Sequence, residues 1–322
     1  MRSVRSLGLL GLYVGAQIVA LLLAFPFKSA GLASTSNPNN PLDPVLIIGV
    51  IVVAPLGILW ISRRSGGLAT LRGLILVAIA ASLDFTLFAT FSLIFPTTFF
   101  FPPASAGQVG DVAILLSALV SVGLLLALWL EPQWYVIDLV GFLAAGSLIA
   151  LLGISFGILP AFILLIALAI YDAIAVYRTK HMVSLADVVT ELKLPILMVM
   201  PASSGYDYTQ APTLREQSQV PTEEREAMFM GLGDVVIPGT LIVSSFIWLP
   251  THPVLAGLGA NLLAAIGALI GSLIGYTVLM RFVMRGNPQA GLPLLNGGAL
   301  LGYIFTYLLV FHSLGLGLTL SL

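Results

Sequence analysis

The chain has 322 residues, of which 59% are hydrophobic and only 8% charged. A soluble surface carries about 25% charge, so this composition excludes an ordinary soluble enzyme and a disordered chain. With Lys+Arg 13 against Asp+Glu 14 and Cys 0, it also excludes the basic footprint of a nucleic-acid binder, a disulfide framework and any Cys-ligated metal.

A helix needs about 20 apolar residues to cross a hydrocarbon core about 30 Å thick. Nine segments qualify: 7–27, 44–62, 71–95, 111–130, 134–152, 156–177, 228–249, 254–281 and 292–315. Their apolar runs are continuous rather than alternating, which predicts an all-α bundle and not a barrel. The first segment, with Arg2 and Arg5 ahead of it and Gly31-Leu32-Ala33 behind, has some signal-peptide character. It is longer than a usual cleaved core and reads as a span.

Residues 31–44 and the Pro-rich 96–110 read as outer loops, and a tight turn around Gly153 joins the fifth and sixth spans. The longest aqueous stretch, 178–227, holds seven acids and reads as mobile. Within it, Leu194-Pro195-Ile196-Leu197-Met198-Val199-Met200-Pro201 is too short to span. It is either an interfacial or buried patch, or a strand or plug that contacts a substrate. The chain thus divides into a helical bundle over 1–177, a cytoplasmic loop over 178–227 and three further spans over 228–322. Gly267, Gly271 and Gly275 in the eighth span have the spacing of close helix packing.

Nine spans place twelve basic residues on one side and only Lys28 on the other. The positive-inside rule then puts the N-terminus in the cytoplasm and the C-terminus outside.

Ten acids fall in loops or at helix ends, leaving Asp84, Asp138, Asp172 and Asp234 within apolar runs. A charged group at mid-bilayer costs about 2.5–3.5 kcal/mol on insertion scales and usually has a function. Asp84 is expected to be a hydrogen-bonded structural residue. Asp138 sits in the first turn of its helix, where the helix N-terminus favours an anion. Asp172 lies about five residues before the cytoplasmic end of the sixth span, and Asp234 about six residues into the seventh. Both are therefore roughly 7–9 Å below the same surface. Two such carboxylates with no cation in either helix would share a proton. One is then a base toward water and the other an acid toward a carbonyl, as in aspartic proteases. Gly231 and Gly233 clear space for another backbone to approach Asp234. Pro238 removes the N–H that would bond the Asp234 carbonyl, so the helix should loosen there.

Tyr171-Asp172, Gly231-Leu232-Gly233-Asp234 and Pro293-Leu294-Leu295 fall in order on the sixth, seventh and ninth spans. This set resembles the Tyr-Asp, Gly-x-Gly-Asp and Pro-Ala-Leu motifs of the presenilin and signal peptide peptidase family of intramembrane aspartyl proteases. Leu294 replaces the alanine of the third motif. The cytoplasmic N-terminus is similar to that of presenilins, and the chain most resembles an archaeal homologue.

The resemblance implies a protease, embedded in the cell membrane of a prokaryote, that cuts transmembrane helices. Asp172 and Asp234 would be catalytic, Tyr171 and the Gly231–Gly233 segment would support them, and Pro293, Leu294 and Leu295 would shape the site and engage substrate. No metal, cofactor or obligatory partner subunit is expected, and self-association is left open.

Other chemistries fit less well. His181, His252 and His312 are scattered and none neighbours a glutamate, against a zinc site. Gly153-Ile154-Ser155-Phe156-Gly157 matches Gly-x-Ser-x-Gly, but lacks the strand-to-helix elbow that gives that motif meaning. The alternative from another class is a proton- or cation-coupled transporter or channel, which also uses intramembrane carboxylates and broken helices.

Overall fold

A computed structural model describes residues 2–64, 66–95, 111–179, 194–203, 205–210, 220, 225–255, 257–285 and 289–319. Among them nine helices follow in order: α1 (Arg2–Ser29), α2 (Leu42–Ser62), α3 (Gly67–Ile94), α4 (Asp111–Leu130), α5 (Trp134–Ser155), α6 (Ile158–Ile174), α7 (Leu232–Trp248), α8 (Ala260–Val283) and α9 (Gly291–Phe311). A π turn, Ala175–Thr179, extends α6. Eight of these helices are long and apolar enough to cross a membrane, and α7 is a shorter apolar helix.

Two short hairpins interrupt the helices. Strand β1 (Leu197–Pro201) pairs antiparallel with β2 (Ala227–Gly231), from Leu197 opposite Gly231 to Pro201 opposite Ala227. Strand β3 (Pro253–Leu255) pairs with β4 (Leu258–Gly259) ahead of α8, with Gly257 at φ +80 in the turn. These hairpins change two boundaries. Residues 228–231 were expected to begin the seventh helix, and 254–259 the eighth. Met228-Phe229-Met230 is apolar in either geometry, and only its pairing with 197–201 holds it extended. Within the 194–201 patch, Leu197–Pro201 is a strand, and Leu194, Met198 and Val199 are buried. The 96–110 loop, His181 and most of 178–227 lie outside the described residues.

The main core joins α1, α5, α6, α7, α8 and α9 through Ala16, Ile149, Leu165, Leu241, Ala268 and Ala299. A second cluster joins α3 and the start of α5 to β1 and Tyr208. Leu46, Val50 and Val53 of α2 are exposed, as lipid-facing side chains would be.

Along the α8–α9 seam the two backbones approach closely. A Cβ on Gly271 would collide with the Gly298 carbonyl, one on Gly267 with Thr306, and one on Gly275 with the Leu294 carbonyl. The four-residue glycine spacing therefore serves packing, as expected. The small residues of the 153–157 turn also pack. Gly153 abuts Val243, Gly157 abuts Asn39, and Ser155 Oγ accepts from Ser34 N–H and Ser34 Oγ–H at 2.8 Å each. His312 is far along the chain from this turn and caps α9 in the left-handed region at φ 49.

Candidate active site

The site starts from three helix ends. Strand β2 passes directly into α7: Gly231 is the extended residue before the helix, and Asp234 is its third residue. Asp234 is therefore in the first turn, not about six residues in. From there its carboxylate turns back toward Gly231, where a Cβ would stand 3.5 Å from Asp234 Oδ2. Leu232 N–H donates to Ile196 O at 3.0 Å and extends the β1–β2 ladder into the helix.

Asp172 is near the end of α6 and is 6% exposed. Its Oδ2 accepts from Leu292 N–H at 3.1 Å. That donor is one of the unpaired amides opening α9, whose N-terminus carries partial positive charge. Gly291, one residue earlier, faces the other acid. A Cβ there would sit 2.8 Å from Asp234 Oδ1 and 3.0 Å from its Oδ2. The first turn of α9 is thus the point where the carboxylates of α6 and α7 converge.

Pro293 lies in this first turn, where its missing N–H costs no helical hydrogen bond. Asn296, one turn on, donates through Nδ2 to Leu165 O at 2.9 Å, tying α9 to α6 again. On the other side, Tyr177 Oη donates to Gln289 Oε1 at 2.8 Å and accepts from Ala290 N–H at 3.3 Å.

The remaining expected residues fall around this point. Tyr171 is half-buried beside Asp172. Gly233 is exposed, with open space where a Cβ would stand. The close approach expected at Gly231 and Gly233 occurs instead at Gly291. The Leu294 carbonyl lies against Gly275, and Leu295 is fully buried in the core. Gly291 and Leu292, which touch the acids, precede the Pro293–Leu295 motif and were missed. Their one sequence signal was a Gly-Leu-Pro helix start.

Pro238 lies within an otherwise continuous α7. Gln17 of α1, fully buried, donates through Nε2 to Val235 O at 2.9 Å, bracing the turn that the proline weakens. Asp138 is the fifth residue of α5, past the first turn where it was expected, and its Oδ1 accepts from Val199 N–H of β1 at 2.6 Å. Asp84 departs from expectation. Its Oδ1 is enclosed and has no hydrogen-bond partner among the described residues.

A membrane bundle that brings two carboxylates to one helix end is suited to aspartic hydrolysis or to proton-coupled transport. Comparison with known proteins separates these classes. The family model described as signal-peptide peptidase, presenilin aspartyl protease matches residues 10–312. A solved presenilin family intramembrane aspartate protease in the C222 space group is 31% identical, covering 94% of this chain and 99% of its own, with a TM-score of 0.65. A second such structure, in the P2 space group, is 31% identical over 92% and 95% of the two chains, with a TM-score of 0.62. No curated protein matches. The chain belongs to the presenilin and signal-peptide peptidase family, and it is a multi-pass intramembrane aspartyl protease.

Proposed function

We propose that Asp172 and Asp234 are the catalytic pair, and that the substrate is a transmembrane helix opened locally at the site. The observation that carries this is the convergence of both carboxylates on the adjacent residues Gly291 and Leu292. An intact helix hides its carbonyls in hydrogen bonds, so the segment to be cut must unwind first. Water then attacks the scissile carbonyl carbon while one aspartate takes its proton. The other aspartate, protonated, donates to the developing oxyanion. Collapse of the tetrahedral intermediate breaks the C–N bond, and the departing amine takes a proton from the pair. No covalent intermediate or metal is needed.

The open space at Gly233, beside Asp234, gives the substrate backbone room to approach. Tyr171 supports Asp172, Leu232 and Gly231 hold Asp234, and Pro293, Leu294 and Leu295 fix the first turn of α9 against α8. The chain crosses the membrane nine times, with α7 as the short crossing and the N-terminus in the cytoplasm of a prokaryotic cell. In this scheme 1–177 and 228–322 are the two helical parts, 178–227 is the cytoplasmic connection, and no partner subunit is required.

The test is cleavage of a transmembrane peptide by the protein in liposomes. Asp172→Asn and Asp234→Asn should each lower turnover by at least about 100-fold while the thermal transition is kept. Full activity in either variant overturns the pair. Wild-type protein that moves cations and cleaves nothing would favour the transporter.

A further inference from the structure

We propose that Asp138 is a positioning residue for the reaction: it fixes strand β1 to α5 and, through the β1–β2 register, sets where Asp234 stands. The proposal rests on the catalytic pairing above.

The ladder register makes the case. Ala202 N–H donates to Glu226 O at 2.7 Å, and Leu232 N–H donates to Ile196 O at 3.0 Å. In an antiparallel pair, hydrogen-bonded and non-hydrogen-bonded positions alternate. Positions 196, 198, 200 and 202 therefore bond across to β2, while 197, 199 and 201 turn their backbone groups outward. Val199 N–H points away from β2 and meets Asp138 Oδ1 at 2.6 Å. Pro201, the next outward position, has no N–H to offer. The outer edge of β1 is thus closed by one carboxylate and one proline, as protected sheet edges commonly are.

A two-stranded ladder is marginal by itself, so its position must come from what grips it. Asp138 is 6% exposed, and the helix around it faces the same hairpin. Ile137 and Val140 share a buried cluster with Val199 and Tyr208. Gln133, before the first turn of α5, accepts weakly from Tyr208 N–H at 3.4 Å and donates to Asp207 Oδ1 at 3.0 Å. On the opposite flank Arg5 donates to Arg225 O at 2.7 Å. The hairpin is therefore clamped between α1 and α5. Only Leu232 and Gly233 separate the end of β2 at Gly231 from Asp234. A slip of β1 is a slip of β2, and so of the carboxylate.

The experiment compares Asp138→Leu, which has no acceptor, with Asp138→Asn, which keeps one. Val199→Pro removes the donor instead, at a position not bonded across the ladder. Turnover and KM are measured on a transmembrane peptide, together with the thermal transition and amide exchange over 194–201. Asp138→Leu and Val199→Pro should each lower kcat about tenfold or more, changing KM less. Exchange over 194–201 should rise at least tenfold in Asp138→Leu. Asp138→Asn should keep most of the wild-type turnover. The double variant should lose no more than either single one, because both remove the same bond. Additive losses, or wild-type kcat and exchange in a folded Asp138→Leu, would overturn the proposal. If Asp138→Leu fails to fold, Val199→Pro alone decides by the same kcat criterion. Absence of any cleavage by the wild type would instead defeat the protease reading. Exchange over 194–201 would still judge the Asp138–Val199 link.

Discussion

Helix α9 has two faces, held in different ways. Toward α8 it offers Gly298 and Gly302, which meet Gly271 and Gly267 backbone to backbone, with almost no side chain between. Toward α6 it offers Leu292 N–H to Asp172 and Asn296 Nδ2 to Leu165 O, with Tyr177 bonding the residues just before it. The first seam is made by shape and has no slack. The second adds a few hydrogen bonds, each worth about 0.5–1.5 kcal/mol net, to apolar contacts such as Phe162 against Tyr303, and it contains Asp172. On the proposed pairing, stability and chemistry fall on different sides of one helix, and substitutions should separate them.

The strongest contrast comes from Gly271→Leu, which drives a side chain into the Gly298 carbonyl. Backbone cannot yield as a side chain can, so a loss of about 3 kcal/mol or more is expected, read as a fall in the thermal transition in detergent. A stable Gly271→Leu protein would mean the α8–α9 contact is looser than its geometry.

Gly291→Ala should do the reverse. The atoms nearest its Cβ belong to the tip of the Asp234 side chain, which can rotate away. Stability should hold while turnover falls about 10- to 100-fold through displacement of the carboxylate. Equal loss of both would sink the idea that Gly291 is kept for the acid.

Pro293→Ala is expected to lower turnover severalfold with a smaller effect on the thermal transition. A matched decline would make the proline merely structural. The smallest effect belongs to Tyr177→Phe. It removes two bonds at an exposed position, and kcat should fall a few-fold with the thermal transition nearly unchanged.

Much of this was legible in the residues. The scarcity of charge made Asp172 and Asp234 conspicuous, and the glycine spacing at 267, 271 and 275 announced a tight seam. What was not legible depends on partners distant in the chain. Met228-Phe229-Met230 continues the apolar run of the seventh span, and its strand geometry comes from residues about thirty positions earlier. Asp138 at a helix start looked sufficiently explained by the helix itself, so the Val199 amide it holds could not be anticipated. Gly291 showed only a helix-start pattern, because the group it makes room for lies on another helix.

The glycine seam has a mechanical consequence. With their backbones in contact at three levels, α8 and α9 must travel as one body. A substrate reaching Gly291 would then part α9 from α6 or α7, the helices that carry the two acids, and α6 runs on into a π turn at Ala175–Thr179. The natural chain has no cysteine, so engineered cross-links could be introduced against a clean background. A tether from α8 to α9 should be silent, and one from α6 to α9 should lock the enzyme.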